Sequence, residues 1–538
     1  MIGRRVANNL RKYSTQQFPH GPVAKMGFFG KSWRAFKWAT GFGVAVTVGY
    51  AGVTLWTINN PPEQLPVPEN KKKLVILGTG WGSVSAVKGL DTSQYEVTII
   101  SPRNYFLFTP LLTSISTGTM SDRSIMESIR HIIRFKQARC HFIEGEVTAI
   151  DHKANSIEVG MVDKELGNTT TKAIPYDVLV VGVGSEVSTY GIPGVEEYGC
   201  FMKEIDNAQQ ARKRIMDCIE AASFPGVDDE TRKRLLHTVV VGGGPTGVEF
   251  AGELHDFYED DLKKLLPHLA KDFKVTLVEA LPNVLASFSK TLINYTEAHL
   301  KEESINLLTK TAVKKVTSTE VLAERTLPDG SREEVNLPYG TFVWCGGNMA
   351  RPLIRELIQA IPEQVTAGAR RGLVVDDFLK VQGTDNVYAL GDCTQSHFAP
   401  TAQVAAQQGS YLASQLNFLA KLEATQSEIN VLEHTVELSP HDDQANRALR
   451  QARRALARLG EPKTFKYSHQ GSLAYIGSEQ AVADLTVWGN SEFASGGRLT
   501  YLFWRSAYLS MCFSFRNKVL VALDWIKVRI FGRDVSRE

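Results

Sequence analysis

The sequence predicts an α/β fold built on two Rossmann-type dinucleotide-binding domains, with one N-terminal transmembrane helix ahead of them and a C-terminal amphipathic helical module behind. Three observations predict it: two separate strand, glycine-turn and helix units, at residues 73–90 and 238–253; a charge-free run of 21 residues, 38–58; and a tail, 499–531, that interleaves aromatic with basic side chains. The chain has 538 residues, too many for one hydrophobic core, and 43% hydrophobic with 22% charged content describes a folded body, not a disordered or many-span chain. Lys and Arg total 60 against 58 Asp and Glu, so the net charge of +2 offers no field for nucleic acid, and nucleic-acid binding is not expected. The 6 cysteines contain no C-x-x-C pair and no zinc spacing, so no metal site is expected either.

From the N-terminus, residues 1–37 carry eight Lys or Arg and no Asp or Glu, the composition of a mitochondrial targeting segment. The run 38–58, bounded by Trp38 and Trp56, reaches about 30 Å as a helix rising ~1.5 Å per residue, enough to cross a bilayer core. Residues 59–70, NNPPEQLPVPEN, form a proline-rich linker. Positive charge ahead of the span keeps 1–37 on the matrix side and carries the remainder into the intermembrane space.

The first glycine unit, KLVILGTGWGSVSAVKGL, places Gly78 and Gly80 at two of the three positions of G-x-G-x-x-G, with Ser83 at the third and Gly82 one residue early. Its next strand, EVTIIS, ends at Ser101 where a ribose-binding carboxylate is usual, so the ribose falls to a hydroxyl or to backbone. The second unit, TVVVGGGPTGVEFAGE, has Gly242, Gly244 and Gly247 at full spacing, and its next strand, KVTLVEA, ends in Glu279. A carboxylate there accepts hydrogen bonds from a ribose diol and repels a 2′-phosphate, which favours NADH over NADPH. The gap to Glu279 is long because LHDFYEDDLKKLLPHLAKDF inserts extra helix.

These segments, with ISPRNYFLFTPLL, ALGDC, PTAQVAAQQGSYLA, GSLAYIGSEQA and WRSAYLSMCFSFRNKVLVALDWIK, resemble the mitochondrial type II, non-proton-pumping NADH:ubiquinone oxidoreductases over residues 73–533. The targeting segment and span resemble the external members, which oxidise cytosolic NADH. The resemblance implies nested domains: non-covalent FAD on 71–200 and 375–420, NADH on 201–374, a helical insertion at 421–460 and a membrane-binding domain at 461–538. It implies hydride transfer from NADH to FAD and two electrons onward to ubiquinone.

By motif position, Gly78, Gly80, Trp81 and Gly82 would cradle the FAD pyrophosphate, with Ser101, Pro102 and Arg103 near its ribose end, Thr109 and Pro110 near the isoalloxazine, and Gly391 and Asp392 closing the site. NADH would take Gly242, Gly244, Pro245, Thr246, Gly247 and Glu279. Glu249 matches the family carboxylate proposed to assist proton delivery; the plainer alternative is an acid favoured by the helix dipole. Gln403 and Gln407, four apart and so on one helix face, would donate amides to a quinone carbonyl. Where bacterial relatives carry a lysine before G-S-L-A-Y-I-G, this chain has Gln470 and Gly471.

Residues 421–460 read as an exposed helical hairpin with Ser439-Pro440 as a helix start and Gly460 as a stop. No stretch of the tail is long enough to span, and its Trp504, Tyr508, Phe513, Phe515 and Trp525 among basic residues suit helices lying in inner-membrane lipid; the same face also suits a homodimer interface. Two rival readings share parts of this pattern. A sulfide:quinone oxidoreductase needs a redox cysteine pair, for which Cys345 and Cys393 are isolated candidates, and an apoptosis-factor-like flavoprotein has no use for PTAQVAAQ.

Overall fold

The computed structural model describes residues 49, 52–67, 70–162, 169–487 and 491–537. The chain divides into two units, Met1–Pro61 and Pro62–Glu538. In the first, the described residues from Gly52 to Asn59 are helical. The expected targeting segment and most of the expected span lie outside the described residues; among the described ones no helix is long and apolar enough to cross a membrane.

The second unit holds two five-stranded parallel sheets. The first runs in the order Val387–Ala389, Val178–Val181, Lys73–Leu77, Glu96–Ser101, His141–Glu144. Leu74 to Leu77 are buried throughout, as a strand covered on both faces requires, which is why KLVIL reads as an unbroken apolar run. The second sheet runs Cys200–Phe201, Thr341–Trp344, His237–Val241, Lys274–Val278, Asn306–Leu308. The edge strand Val387–Ala389 of the first sheet follows the whole second sheet in sequence, so the second sheet lies within an insertion between strands of the first.

Two boundaries differ from the sequence reading. The chain returns to the first domain well before residue 375: Asn348–Ala350 pairs antiparallel with Ser185–Val187, and Ile354, Leu357, Ile358 and Ile361 pack in one cluster with Val75, Leu77 and Val181. An aliphatic stripe at helical spacing buries equally well against either sheet, so pattern alone does not tell which core it joins. One helix also runs unbroken from Ala402 to Leu438, across the residue 420/421 boundary, because no Pro or Gly interrupts it after Gly409. Ser439 ends that helix, and the next, Asp443–Leu459, is capped by Asp442, whose side chain accepts from the N–H of Gln444 and Ala445. Ser439-Pro440 is therefore a break rather than a start, while Gly460 terminates the second helix at φ +71°.

Helix Ala402–Leu438 crosses helix Trp81–Gly89 at backbone contact: a Cβ on Gly409 would stand 2.0 Å from the Gly82 carbonyl oxygen, and one on Gly82 would stand 2.2 Å from Leu390 Cδ1. The C-terminal part is a three-stranded antiparallel sheet, Ser472–Gly477, Gln480–Val487 and Ser491–Gly497, followed by helices Arg498–Met511 and Phe515–Phe531. Its first strand lies against helix Pro245–Phe257 of the second domain, where a Cβ on Gly252 would stand 2.7 Å from the Gly477 nitrogen. Gly409→Ala should destabilise the protein by about 1–3 kcal/mol, since the opposing group is backbone and cannot rotate away; thermal unfolding measures it.

Candidate functional site

Both glycine turns are shaped by the backbone beside them. Gly78 has φ +91° and a Cβ there would meet the Gly182 carbonyl at 2.4 Å; Gly242 has φ +115°, and a Cβ on Gly247 would meet its carbonyl at 1.9 Å. Gly80 and Gly244, the N-caps of helices Trp81–Gly89 and Pro245–Phe257, face open space, with nothing within 4 Å of a Cβ position. Each turn thus leaves a helix N-terminus open to an approaching anion such as a pyrophosphate. Gly82 is buried in the helix crossing, apart from that approach, and Ser83 fills the third motif position by donating its hydroxyl to the Leu77 carbonyl at 3.1 Å.

Ser101 is buried, its hydroxyl 3.1 Å from that of Thr79 and accepting from the Arg103 N–H at 3.3 Å. Arg103 is ion-paired with Glu204, Pro102 is exposed beside it, and Thr109 accepts from the Trp81 indole N–H at 3.1 Å, with half-buried Pro110 following. In the second domain, Glu279 spans the turn by accepting from the N–H groups of Gly243 and Leu281, which aims its carboxylate along the glycine turn; Pro245 is exposed and Thr246 half-buried there.

Asp392 sits where the domains meet. Its Oδ2 accepts from the Ser185 hydroxyl at 3.3 Å and lies 3.6 Å from Lys203 Nζ, which also donates to Ser185 at 3.0 Å and to Asn348 Oδ1 at 3.2 Å. Lys203, Ser185 and Asn348 carry no motif and escape a sequence reading. The Gly391 N–H donates to Gln408 Oε1 at 2.7 Å, while Gln408 Nε2 is buried with no partner among the described residues, a polar group left over for a ligand at this turn.

Gln408 belongs to the helix whose Gln403 and Gln407 line a cavity of about 840 Å³, walled also by Trp81, Tyr411, Phe465 and Met511. The two amides share a face, as their spacing requires, but they are not idle. Gln407 grips Ser468, donating to its carbonyl at 2.8 Å and accepting from its N–H at 2.9 Å. Gln403 Oε1 accepts from the Tyr467 hydroxyl and the Gln470 N–H, whereas its Nε2 holds only the Gly471 carbonyl at 3.5 Å. Gln403 Nε2 is therefore the more available donor.

Glu249, on helix Pro245–Phe257, is 7% exposed, accepting from the Tyr475 N–H at 3.3 Å and the Tyr508 hydroxyl at 3.4 Å. Burial outweighs these bonds and pushes its carboxyl up to about 8. The same burial pushes the Cys393 thiol up to about 11 and Cys345 up to about 12, the reverse of what a redox or nucleophilic thiol requires.

The pyridine nucleotide-disulphide oxidoreductase family profile matches residues 72–409, and the NDH2 C-terminal domain profile matches 469–534. The chain is 55% identical to the external alternative NADH-ubiquinone oxidoreductase of Yarrowia lipolytica over 513 residues, 94% of this chain and 88% of that one. It is 45% identical to the external NADH-ubiquinone oxidoreductase 2 of Saccharomyces cerevisiae over 495 residues, 90% and 87% of the two chains. Among solved structures, NDH2 of Plasmodium falciparum in complex with NADH aligns with a TM-score of 0.73 at 27% identity, covering 87% of this chain and all of that one. Replacing Glu279 with Gln should lower the NADH-over-NADPH preference about tenfold, ~1.4 kcal/mol for one charge-assisted contact, read as the ratio of kcat/KM values; an unchanged ratio would remove Glu279 from the ribose site.

Proposed function

The chain belongs to the type II NADH:ubiquinone oxidoreductases, and from its geometry we infer how it carries out that reaction and where. It is a flavoprotein that oxidises NADH and reduces ubiquinone without pumping protons. The observation that carries the mechanistic reading is one helix. Its buried Gln408 holds the Gly391–Asp392 turn, while the adjacent Gln407 and, one turn before that, Gln403 face a mostly apolar cavity, so the cofactor turn and the quinone side share a rigid support.

Non-covalent FAD is the flavin this site would take: Gly78 and Gly80 would hold its pyrophosphate at the first glycine turn, with Ser101 and Arg103 at its ribose end. When bound, it supplies the two-electron chemistry that links a hydride donor to a quinone. Asp392 and Lys203 form a fixed charge pair at its closing turn. NADH lies on the second turn, its ribose diol on Glu279. Gln403 Nε2 exchanges the long bond to Gly471 for a quinone carbonyl, and Gln407 keeps segment 467–471 in place as the cavity wall. Glu249, protonated at neutral pH by burial, donates from its carboxyl towards the quinone side.

Residues 38–58 anchor the body in the mitochondrial inner membrane, with 1–37 in the matrix and the catalytic unit in the intermembrane space. The tail supports lipid contact: Leu499, Leu502, Phe503, Ile526, Ile530 and Phe531 are exposed, and the Arg505 guanidinium stacks 4.4 Å over Trp525. Protease should spare NADH:quinone activity in intact mitochondria and remove it once the outer membrane is ruptured with the inner membrane still sealed; activity that survives until the inner membrane is opened would overturn this topology.

Gln403→Ala should raise the quinone KM several-fold and leave the NADH KM unchanged, and equal effects would end its assignment. A proton donor must be protonated, so quinone reduction should fall as pH rises through about 8, and Glu249→Gln should abolish that limb.

A further inference from the structure

Packing does not account for Tyr190. Its side chain is 71% exposed, yet its backbone sits at φ +52°, a left-handed conformation that suits Gly or Asn and strains a bulky residue. A strained aromatic residue standing in solvent points to a role for its side chain.

Its neighbour is the turn Cys345–Gly347, which follows the strand Thr341–Trp344. The Tyr190 ring meets the buried Trp344 indole edge-on, with centroids 6.3 Å apart. That indole N–H donates both to the Ser188 carbonyl at 3.0 Å and to the Gly346 carbonyl at 2.7 Å, and the Ser188 N–H donates to the Gly347 carbonyl at 3.3 Å. The loop that carries Tyr190 is therefore tied to the turn. A Cβ on Gly347 would stand 2.9 Å from the Tyr190 hydroxyl oxygen, so the turn stays bare beneath the ring.

Sheet order says what passes there. In the second sheet the parallel strands Lys274–Val278 and Thr341–Trp344 flank His237–Val241 on opposite sides, and all three end on one crest. With an adenosine ribose on Glu279 at one flank and the pyrophosphate on the glycine turn at the centre, the dinucleotide continues towards the other flank, Cys345–Gly347. The two turns are in contact: a Cβ on Gly242 would stand 3.0 Å from the Cys345 carbonyl carbon. The next residue, Asn348, accepts from Lys203 beside Asp392, so this flank also leads to the turn that closes the flavin site. A hydride donor has to lie along that line.

We propose that Tyr190 covers a nicotinamide-side subsite, its ring packing on the ribose and nicotinamide of NADH laid over Cys345–Gly347. This rests on the NADH reading above and gives it a direction. Tyr190 makes and breaks no bond in the reaction; it is a binding residue, placed before substrate arrives because Trp344 and Ser188 already fix its loop.

The test sets NAD⁺ and ADP against NADH as competitive inhibitors of the flavin-loaded enzyme, since ADP carries the adenosine half and the pyrophosphate but no nicotinamide-side ribose. Tyr190→Ala should raise the NADH KM and the NAD⁺ Ki about tenfold, while the ADP Ki and the kcat with ubiquinone stay within about twofold of the parent. Tyr190→Asn, at home at positive φ, should unfold at about the parent's temperature and still bind NADH as weakly as the Ala variant; a Tyr190 that served structure alone would leave NADH binding intact there. Glu279→Gln should instead weaken NADH and ADP together. A parental NADH KM in Tyr190→Ala or Tyr190→Asn, or an equal rise for ADP, would overturn the proposal, as would an ADP Ki indifferent to Glu279→Gln, which removes the direction it depends on. A parent enzyme whose flavin NADH does not bleach would sink the NADH reading itself.

Discussion

The structure depends on a backbone-to-backbone contact between Gly252 and Gly477. Because neither residue has a Cβ, the strand Ser472–Gly477 settles directly on helix Pro245–Phe257, close enough for the Tyr475 N–H, 226 residues along the chain, to bond Glu249. The C-terminal module is thus part of the wall of the second dinucleotide domain rather than an appendage. Its aromatic side chains, Tyr475, Trp504 and Tyr508, strip water from an acid that on an isolated helix would be solvated and ionised. The burial of that acid is a consequence of this docking.

A second close approach governs the other half of the site. The Gly82 and Gly409 crossing holds the long helix against the first glycine turn, and Gln408 carries that rigidity to Gly391. Lys203 and Asn348 come from strand ends in different parts of the chain and meet Ser185 and Asp392 only because the inserted domain returns along Ser185–Val187. Positions set by two backbone contacts and a crossing ribbon leave little play between the first glycine turn and the Gly391–Asp392 turn.

What could be read from residues alone follows what backbone geometry demands locally. The Gly78, Gly242 and Gly247 positions are legible because positive φ or a carbonyl within 2.4 Å admits no side chain, and Glu279 is legible because it ends the strand beside the turn. Nesting came from family resemblance, not from pattern. The true return point near Asn348 was hidden, since the stripe Ile354, Leu357, Ile358 and Ile361 would suit either core. The continuity of Ala402–Leu438 across residue 420/421 has no local marker, and Ser439-Pro440 is a stop because Pro also follows helix ends. Glu253 and Asp256 stand at i+4 and i+7 from Glu249, but their burial is not legible in the sequence, because only the docked strand covers this face of the helix.

The edge strand Val387–Ala389 has a kinetic implication. Asn386 bonds the Asp177 carbonyl from 209 residues away, so the first sheet cannot be completed until the entire inserted domain has emerged from the ribosome or from an import channel. Until then Val178–Val181 presents an open, fully aliphatic edge, the kind of surface that invites mispairing with other chains. Long-range closure of this sort makes for slow folding, and it gives a chaperone that shields hydrophobic strands a defined interval in which to act.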